Sequence, residues 1–529
     1  MKLITRFLYL PAACIVLLAS CAKEQTESYD KFEDQALEAY MTQKHPELLE
    51  NLQTDGGYYV DILEPGKADA KPVNDTICWV KFDFSGRDLS GNIALTRRAA
   101  EAYQLGTFTK YTHYVPYYRY CGEANAGLIE GTYLAMRNTL HLGEKYAEDN
   151  NLDREFLLRE GAKVRLYMPS RVVGSGGISG DGGYEGQYSL SANRPLIMEM
   201  EIVGIDKNPL EAEGSLVDAF AKENGGMVMF TKDGEDGSEK RPTDPKDGKH
   251  PYNRAERWVS ACDTVAQLYV NVKYDPAETG KGDKFSFDFS DAESKVSNKP
   301  YNVGFEPYNG SDLEKEISEA LVKRFHGEGD DYKAYEGVDK LESDSVGLDG
   351  TAKIWYIGRF LDGFIFDTNI DEVKKIIYGE VTSEGEALSY TPEEGGLITA
   401  FYYTVPNLRY GQWAAFVTTS TNAYGTSGKS GSSTSSPSGN GYSSNYLDYL
   451  NYLNYSQMYY GNSGLYGGYY GDYYGYGGLG GYGYGYGYYG DYGYNYGSTG
   501  ETSTTTTVTT EIPSFAPLIF QFYIEPAED

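Results

Sequence analysis

Groups that could hold a metal ion or an anionic partner are scarce in this chain. The 529 residues include five histidines and five cysteines. The histidines are scattered singly, without the paired spacing or the cysteine partners of a zinc site, so we expect no metal and no cofactor. Basic residues number 46 against 77 acidic ones, which gives a formal net charge of -31. That field repels phosphate backbones, and nucleic acid is therefore not expected as a partner.

Long hydrophobic runs are also missing after the N-terminus, and so no transmembrane helix is expected. The N-terminus itself is typical of an export signal: Lys2 and Arg6 precede an apolar run that ends in Leu-Ala-Ser-Cys at Cys21. A small-residue site ending in cysteine predicts cleavage before that residue and acylation of its thiol. We therefore expect a lipoprotein signal peptide over 1–20, lipidation at Cys21 and an exported protein anchored to the outer membrane of a cell envelope. An ordinary secretory signal with an incidental Cys21 is the alternative.

Few cysteines remain once the signal is removed. Loss of Cys14 with the signal and acylation of Cys21 would leave Cys78, Cys121 and Cys262. Export permits a disulfide, but an odd remainder leaves at least one thiol without a disulfide partner within a monomer. We therefore predict no particular bridge.

The chain is too long for one ordinary core, and its patterns predict two globular units. A polar tether and a lead-in helix are expected over 21–53, and alternating strand patterns then open a first unit over 54–206. The stretch from Asn224 to Asn253 is rich in Gly, Asp, Lys and Pro, and a solvated linker is expected over 207–254. The second unit covers 255–529, where the strand pattern near 268–275 parallels that of the first unit and indicates an internal repeat.

Two insertions enlarge the second unit. One covers 276–347 and contains a helical pattern from Leu313 to Phe325. The other covers 426–510 and contains a Tyr/Gly tract, for which we expect disorder because glycine raises the entropy cost of ordering and branched aliphatics are nearly missing. Tyrosines in a flexible tract can capture a protein partner by stacking. An expansion without a role is the alternative.

Four runs of the second unit resemble, in sequence and in order, the FKBP-type peptidyl-prolyl isomerases. They are IWYIGRFLDGFIFDTN at 354–369, GLI at 396–398, AYG at 423–425 and EIPSFAPLIF at 511–520. The resemblance implies an α+β chain with two FKBP-like domains, each a curved antiparallel sheet wrapped around a short helix. It also implies a non-covalent isomerase that acts on proline-containing unfolded or exported polypeptides and helps them fold.

The resemblance places an aromatic proline pocket in the second unit. Asp367 would hold Tyr356 by a hydrogen bond, the backbone N–H of Ile398 and the Tyr424 hydroxyl would each contact a substrate carbonyl, and Phe401 would form the floor. Phe401 stands where the family usually has tryptophan, which predicts a shallower floor. Without the resemblance, aromatic residues at alternating strand positions would be assigned to core packing. The implied catalytic residues are Tyr356, Phe366, Asp367, Tyr424 and Phe520, and the implied substrate-binding residues are Leu397, Ile398, Phe401 and Ile512.

The first unit has lost most of this aromatic wall. Aligned on Phe84-Ser-Gly86, the positions of the wall fall on Phe84, Ala94, Leu95, Thr132, Val173 and Met198. We therefore predict a degenerate FKBP-like domain that serves as a stalk, a partner surface or a chaperone-like module, with an altered pocket for another ligand as the alternative. For the whole chain, the alternative to an isomerase is a catalytically silent scaffold whose Tyr/Gly-rich loop recruits a protein partner.

Overall fold

The fold is described from a computed structural model of the chain. It describes residues 29–73, 78–104, 108, 110–122, 125, 128–174, 178–179, 189–190, 193–224, 228–231, 239–240, 267–277, 310–335, 337, 340–347, 349–379, 384–392, 396–429, 432–436 and 505–527. The signal peptide, Cys21, Cys262, the start of the predicted tether and the Tyr/Gly tract lie outside the described residues. The chain divides into two compact units, one of Met1–Ser433 with Val508–Asp529 and the other of Thr434–Thr507.

Short helices and many strands make up the described part of the chain. The helices are α1 (Tyr29–Lys44), α2 (Ala99–Gln104), α3 (Glu130–Arg137), α4 (Glu144–Asn150), α5 (Pro209–Asn224), α6 (Gly310–His326), α7 (Asp371–Tyr378) and α8 (Thr399–Thr404). Single 3-10 turns cover Pro46–Asn51, Ser170–Val172, Gly329–Asp331, Val405–Asn407 and Ser420–Asn422.

The strands group around two sheets, both in the first compact unit. They are β1 (Leu52–Gln53), β2 (Tyr58–Pro65), β3 (Trp79–Arg87), β4 (Ile93–Thr96), β5 (Tyr117–Tyr120), β6 (Leu140–His141), β7 (Glu155–Phe156), β8 (Ala162–Met168), β9 (Ile178–Ser179), β10 (Ser189–Leu190), β11 (Leu196–Asp206), β12 (Val228–Thr231), β13 (Glu239–Lys240), β14 (Leu268–Asn271), β15 (Ala352–Phe360), β16 (Ile365–Thr368), β17 (Leu388–Tyr390), β18 (Trp413–Thr418), β19 (Ser432–Ser436), β20 (Thr505–Thr509) and β21 (Leu518–Pro526). We call the described residues up to 206 the first half and those from 207 the second half.

The first half is built on an antiparallel sheet. Its described strands follow the order β1-β2-β8-β11-β3-β4, with β5 beside β3. Burial alternates along β11, as a pleated strand with one apolar face requires. The apolar face packs against residues of α1, α3 and α4, among them Leu37, Met136 and Ala147. The opposite face carries ion pairs, such as Arg165 with Glu199 at 3.0 Å, and so only one face of this sheet is a hydrophobic core.

The second half is built on an eight-stranded sheet of the same kind, in the order β13-β12-β14-β18-β21-β15-β16 with β17 beside β15. The described pairings are antiparallel except for β12 with β13. The structure is thus α+β with antiparallel sheets, which is compatible with FKBP-like domains. β14 pairs with β18 as β2 pairs with β8, which matches the repeat that the sequence indicates.

Both faces of the second sheet are apolar. One face carries Phe416 and Phe520 and packs against Phe401 of α8. The other face packs against α5, α6 and α7, and here Trp413 and Ile519 are fully buried. The helical pattern predicted from Leu313 to Phe325 lies in α6, whose Leu313, Ile317 and Leu321 contact the sheet at the spacing of one helix turn.

The predicted linker 207–254 contains a packed helix. Helix α5 buries Val217 and Ala221 against the same outer face as α6, and strands β12 and β13 follow it. No such helix is predicted there, although the Gly, Asp, Lys and Pro residues that indicate a linker lie mainly in the later part of the segment. None of the described helices is long and apolar enough to cross a membrane.

Candidate functional site

Five aromatic rings converge on the α8 face of the second sheet. They belong to Tyr356, Phe366, Phe401, Tyr424 and Phe520, which we call the ring cluster. The Phe520 centroid lies 5.6 Å from Tyr356, 5.6 Å from Phe366 and 5.2 Å from Phe401. The Tyr424 ring joins the cluster 6.4 Å from Phe366. Phe366 and Phe401 each meet Phe520 edge to face, an arrangement that ring quadrupoles favour.

A glycine of β15 makes room for the Phe366 ring of β16. Gly358 pairs with Asp367 on one side and with Phe520 on the other. The Phe366 ring lies directly against this glycine, since a Cβ at Gly358 would come within 2.6 Å of the ring Cζ. The missing side chain therefore lets Phe366 lie against the strand and reach Phe520.

A carboxylate orients the hydroxyl of Tyr356. The hydroxyl donates a hydrogen bond to Asp367 Oδ2 at 2.7 Å. Burial, and then the negative charge of Asp367, raise the pKa of Tyr356, so this hydroxyl stays protonated and remains a donor. Asn369 and Thr368 fix the backbone of Tyr356, because Asn369 Oδ1 accepts its N–H and the Thr368 hydroxyl donates to its carbonyl, each at 2.7 Å. No role is predicted for these two residues, although they directly follow the Phe-Asp pair.

Helix α8 supplies the floor of the cluster. Ile398 is its N-cap residue, and Leu397 and Ile398 lie half-buried at the edge of the cluster. The Phe401 side chain is 2% exposed, with its centroid 5.1 Å from Phe416 and 5.3 Å from Phe522. Phe416 and Phe522 thus support the floor from below.

The far wall is held by a short backbone bridge. Ile512 and Lys429 exchange two backbone hydrogen bonds, each 2.8 Å long. The Lys429 ammonium also lies 5.4 Å from the centre of the Tyr424 ring. Burial, and then Asp367, raise the pKa of the Tyr424 hydroxyl, which keeps it a hydrogen-bond donor. Lys429 lies inside the predicted insertion 426–510, and no role is predicted for it.

All nine predicted site residues therefore lie together. Five belong to one buried core cluster, three are packed against it, and Asp367 is bonded to Tyr356. Such a site offers an apolar, aromatic surface with hydroxyl donors and one carboxylate at its edge. Among the described residues, no group of three or more His, Cys, Asp or Glu side chains could hold a metal ion.

The first half has the same framework but keeps only one of the rings, that of Phe84. Met200 pairs with Phe84 as Phe522 pairs with Tyr356, and Gly86 pairs with Leu95 as Gly358 pairs with Asp367. Met198 pairs with Gly86 as Phe520 pairs with Gly358, in agreement with the alignment made from the sequence. The loop position differs from that alignment, because Val173 and Gly174 donate to the Ser170 carbonyl as Ala423 and Gly425 donate to that of Ser420, and Tyr424 therefore has no counterpart. Helix α3 begins after Ile129 as α8 begins after Ile398, which places Thr132 at the position of Phe401. The first half therefore keeps one aromatic ring at these positions, that of Phe84, and has no aromatic floor.

The first half contacts the edge of the ring cluster. His113, which is 6% exposed, stacks on Phe360 at 4.4 Å, and its Nε2 lies 2.6 Å from Asp362 Oδ2. The Phe360 ring in turn lies 5.3 Å from Phe366. Glu511, which precedes Ile512, accepts hydrogen bonds from side chains of the first half, Arg97 at 3.5 Å and Arg119 at 3.3 Å. Arg97 also donates to the His113 carbonyl at 3.0 Å, so the two contacts of the first half are linked.

Comparison with models of protein families finds no match, and no match is found among curated proteins. Among solved structures, FkpA from Escherichia coli is 15% identical over 38% of this chain and 71% of its own, with a TM-score of 0.21. A peptidyl-prolyl cis-trans isomerase from Pseudomonas syringae is 19% identical over 34% of this chain and 98% of its own, with a TM-score of 0.21. The three FKBP domains of wheat FKBP73 are 10% identical over 90% of this chain and 97% of theirs, with a TM-score of 0.18. Likenesses this weak do not assign the chain to a family.

Proposed function

We propose that the second half is a peptidyl-prolyl cis-trans isomerase of the FKBP type, which holds a prolyl ring in the ring cluster. The observation that carries the proposal is the convergence of Tyr356, Phe366 and Phe401 around Phe520, with Tyr424 against Phe366. The residues that match the family's motifs come from four separate runs of sequence, and unrelated core positions would not be expected to meet in this way.

The chemistry of such a site needs no covalent step. An X-Pro bond is nearly balanced between its isomers, but a barrier of about 18–20 kcal/mol separates them. The twisted transition state has lost amide resonance and is less polar than the planar amide. An apolar ring pocket therefore binds the twisted form better than the planar form, and each gain of about 1.36 kcal/mol increases the rate tenfold.

The polar groups of the site fit the same reaction. The hydroxyl of Tyr424 is a protonated donor at the edge of the cluster and can bind a substrate carbonyl. Asp367 holds the Tyr356 hydroxyl at 2.7 Å and presents negative charge beside the rotating carbonyl carbon. General acid or base catalysis is not required of Asp367, because no proton is transferred.

A proline-peptide isomerisation assay on the full chain, kept in solution with mild detergent, tests the proposal. We expect acceleration above the spontaneous rate that falls in both Phe366→Ala and Asp367→Ala. A parent that shows no acceleration would exclude catalysis and favour the silent scaffold with a partner-binding Tyr/Gly loop. Deletion of residues 426–510 would not serve here, because it removes Lys429 and the bridge to Ile512.

We further propose that the protein works on exported chains from a lipid anchor at the outer membrane. The support is the Leu-Ala-Ser-Cys sequence that ends at Cys21. Cys21→Ser should abolish incorporation of a labelled fatty acid and release the protein from the membrane fraction. Incorporation that persists in this variant would contradict the proposal.

A further inference from the structure

The helix that precedes each sheet makes the same buried contact with a serine turn. In the first half, Glu33 of α1 accepts hydrogen bonds from the backbone N–H and the hydroxyl of Ser170, both at 2.6 Å. In the second half, Glu213 of α5 accepts from the backbone N–H of Ser420 and from its hydroxyl, the latter at 2.8 Å. Each glutamate follows the first residue of its 16-residue helix by the same interval. The contact is therefore part of the repeated fold.

Ser420 connects this contact to the ring cluster. Its N–H is held by Glu213, while its carbonyl accepts the N–H of Ala423 at 2.9 Å and of Gly425 at 2.7 Å. Tyr424 lies between these two residues. Gly425 has a φ of +74°, which a residue with a side chain rarely adopts. The turn of residues 420–425 is thus fixed at its start by α5 and at its end by Ser420 itself.

Helix α5 is a firm base for this turn. Its Val217 is fully buried against the sheet, and its Asp218 accepts hydrogen bonds from Gln267 and Tyr269, both at 2.7 Å. Glu213 is 2% exposed. Burying a carboxyl group without partners is costly, and here its hydrogen bonds to Ser420 offset that cost. An apolar residue would fill the same place in the core, but it could not hold the serine.

We propose that Glu213 is a positioning residue that sets the Tyr424 hydroxyl for the substrate through Ser420. The catalytic part of this inference rests on the proposed isomerase function. The part in which Glu213 holds the turn in place rests on the contacts alone. The first half supplies the comparison. There the carbonyl of Ser170 accepts the N–H of Val173 and of the next residue, Gly174, so this turn is one residue shorter and has no counterpart of Tyr424. The repeat thus keeps the contact in both halves, and only the second half carries the tyrosine that it would serve.

Steady-state isomerisation by the full chain tests the proposal, with matched variants in the two halves. Glu213→Ala should lower kcat/KM about tenfold, the change expected when one net hydrogen bond to the substrate is lost. Glu213→Gln should restore activity, since its amide can accept from the Ser420 N–H and donate to the hydroxyl. Glu33→Ala should lose comparable thermal stability and keep parental kcat/KM. Equal activity losses in Glu33→Ala and Glu213→Ala, or no loss in Glu213→Ala, would overturn the inference.

A double-mutant cycle identifies the route through Tyr424. If Glu213 acts by placing that hydroxyl, Glu213→Ala should lower activity little further in a Tyr424→Phe background. Fully additive losses would contradict the proposal. If Glu213→Ala does not fold, Ser420→Ala, which removes only the hydroxyl contact, replaces it, with Ser170→Ala as its control.

Amide hydrogen exchange gives a readout that does not depend on activity. Exchange at Ser420, Ala423 and Gly425 should be faster in Glu213→Ala than in Glu33→Ala, where these amides should match the parent. Unchanged exchange would overturn the positioning role even if the parent is an active isomerase. A parent without isomerase activity but with faster exchange in Glu213→Ala would instead refute the proposed function and leave control of the turn standing.

Discussion

At the scale of single residues, the aromatic site depends on a glycine. Gly358 is in a strand interior, where glycine is ordinarily unfavourable, and the Phe366 ring occupies the space of its missing side chain. We predict that Gly358→Ala displaces this ring from Phe520 and lowers isomerase kcat/KM by more than tenfold. The overpacking should also cost about 1–3 kcal/mol of unfolding free energy. Activity assays and urea unfolding on the same sample measure both effects.

The first half provides the control for this substitution. Gly86 occupies the equivalent place, and a Cβ there would come within 2.9 Å of Leu95. Gly86→Ala should therefore lose comparable stability and keep parental isomerase activity. An equal loss of activity in the two variants would show that Gly358 matters only for folding.

A second residue-scale prediction concerns the floor. The sequence suggests that Phe401 makes the pocket shallower than the tryptophan usual in the family, but Phe416 and Phe522 already pack against Phe401 from below. Phe401→Trp should therefore destabilise the chain by about 1–3 kcal/mol rather than improve binding. Urea unfolding and the KM for a proline peptide report the two quantities. A lower KM without loss of stability would contradict this.

The site residues could be proposed from the sequence because each lies in a short run that resembles a motif of the FKBP-type isomerases. Phe366 and Asp367, for example, are adjacent, and the hairpin that places them against Tyr356 is local. The residues that support them could not be found in this way. Glu213 reaches Ser420 across 207 positions, and nothing in the sequence near either residue indicates the other.

At the scale of elements, α6 is fixed to the outer face of the sheet by a buried ion pair. Arg359, with a side chain 2% exposed, meets the Glu314 carboxylate at 2.8 Å and 3.0 Å, and Gln521 accepts from its Nε. Glu314→Ala would leave a buried guanidinium without its carboxylate, and it should cost about 3 kcal/mol of unfolding free energy. Glu319→Ala, on the exposed face of the same helix, should change stability by less than about 0.5 kcal/mol. Equal losses of unfolding free energy in the two variants would show that the buried ion pair stabilises the fold no more than the exposed glutamate does.

A pH-dependent contribution to stability comes from α5. Burial raises the pKa of Glu213 from 4.5 to about 7, against the opposing effect of its hydrogen bonds with Ser420. Between pH 4.5 and about 7, the Glu213 carboxyl is therefore protonated in the folded chain and ionised in the unfolded chain. This contribution is fully present below pH 4.5 and is lost as the pH rises through about 7. The thermal midpoint of the parent should fall relative to that of Glu213→Gln over this window. A constant difference between the two chains would contradict the raised pKa.

Elements with a clear hydrophobic period could be predicted from the sequence. Elements that pack against residues far away in the sequence could not. The spacing of Leu313, Ile317 and Leu321 indicated α6 directly, but the strand face that it covers lies outside the insertion. Helix α5 was missed because the polar residues beyond Asn224 dominate the composition of the predicted linker. The apolar residues of α5 can be recognised as core residues only once the second sheet, against which they pack, is known.

At the scale of the whole molecule, the two halves are joined beside the ring cluster. Burial tends to raise the pKa of Asp362, but His113 lowers it through its charge and hydrogen bond, and the net shift is downward. A lowered carboxyl pKa means that the contact stabilises the fold above the ordinary pKa of 3.8 and is lost as the pH falls through the lowered value. Asp362→Asn should remove this part of the acid sensitivity, which acid titration of the two chains by circular dichroism measures. Identical acid midpoints would contradict the assignment.

The same contact predicts that His113 couples the halves. His113→Ala removes the stack on Phe360 and the bond to Asp362, and it should lower the unfolding free energy by about 1–3 kcal/mol. Because Phe360 supports Phe366, isomerase KM should rise while Tyr424 and its turn keep parental hydrogen exchange. His141→Ala, an exposed histidine of the same half, should change none of these quantities. If His113→Ala also leaves stability and KM at the parental values, the first half does not act on the site through this edge, and Arg97 and Arg119 on Glu511 become the contacts to test.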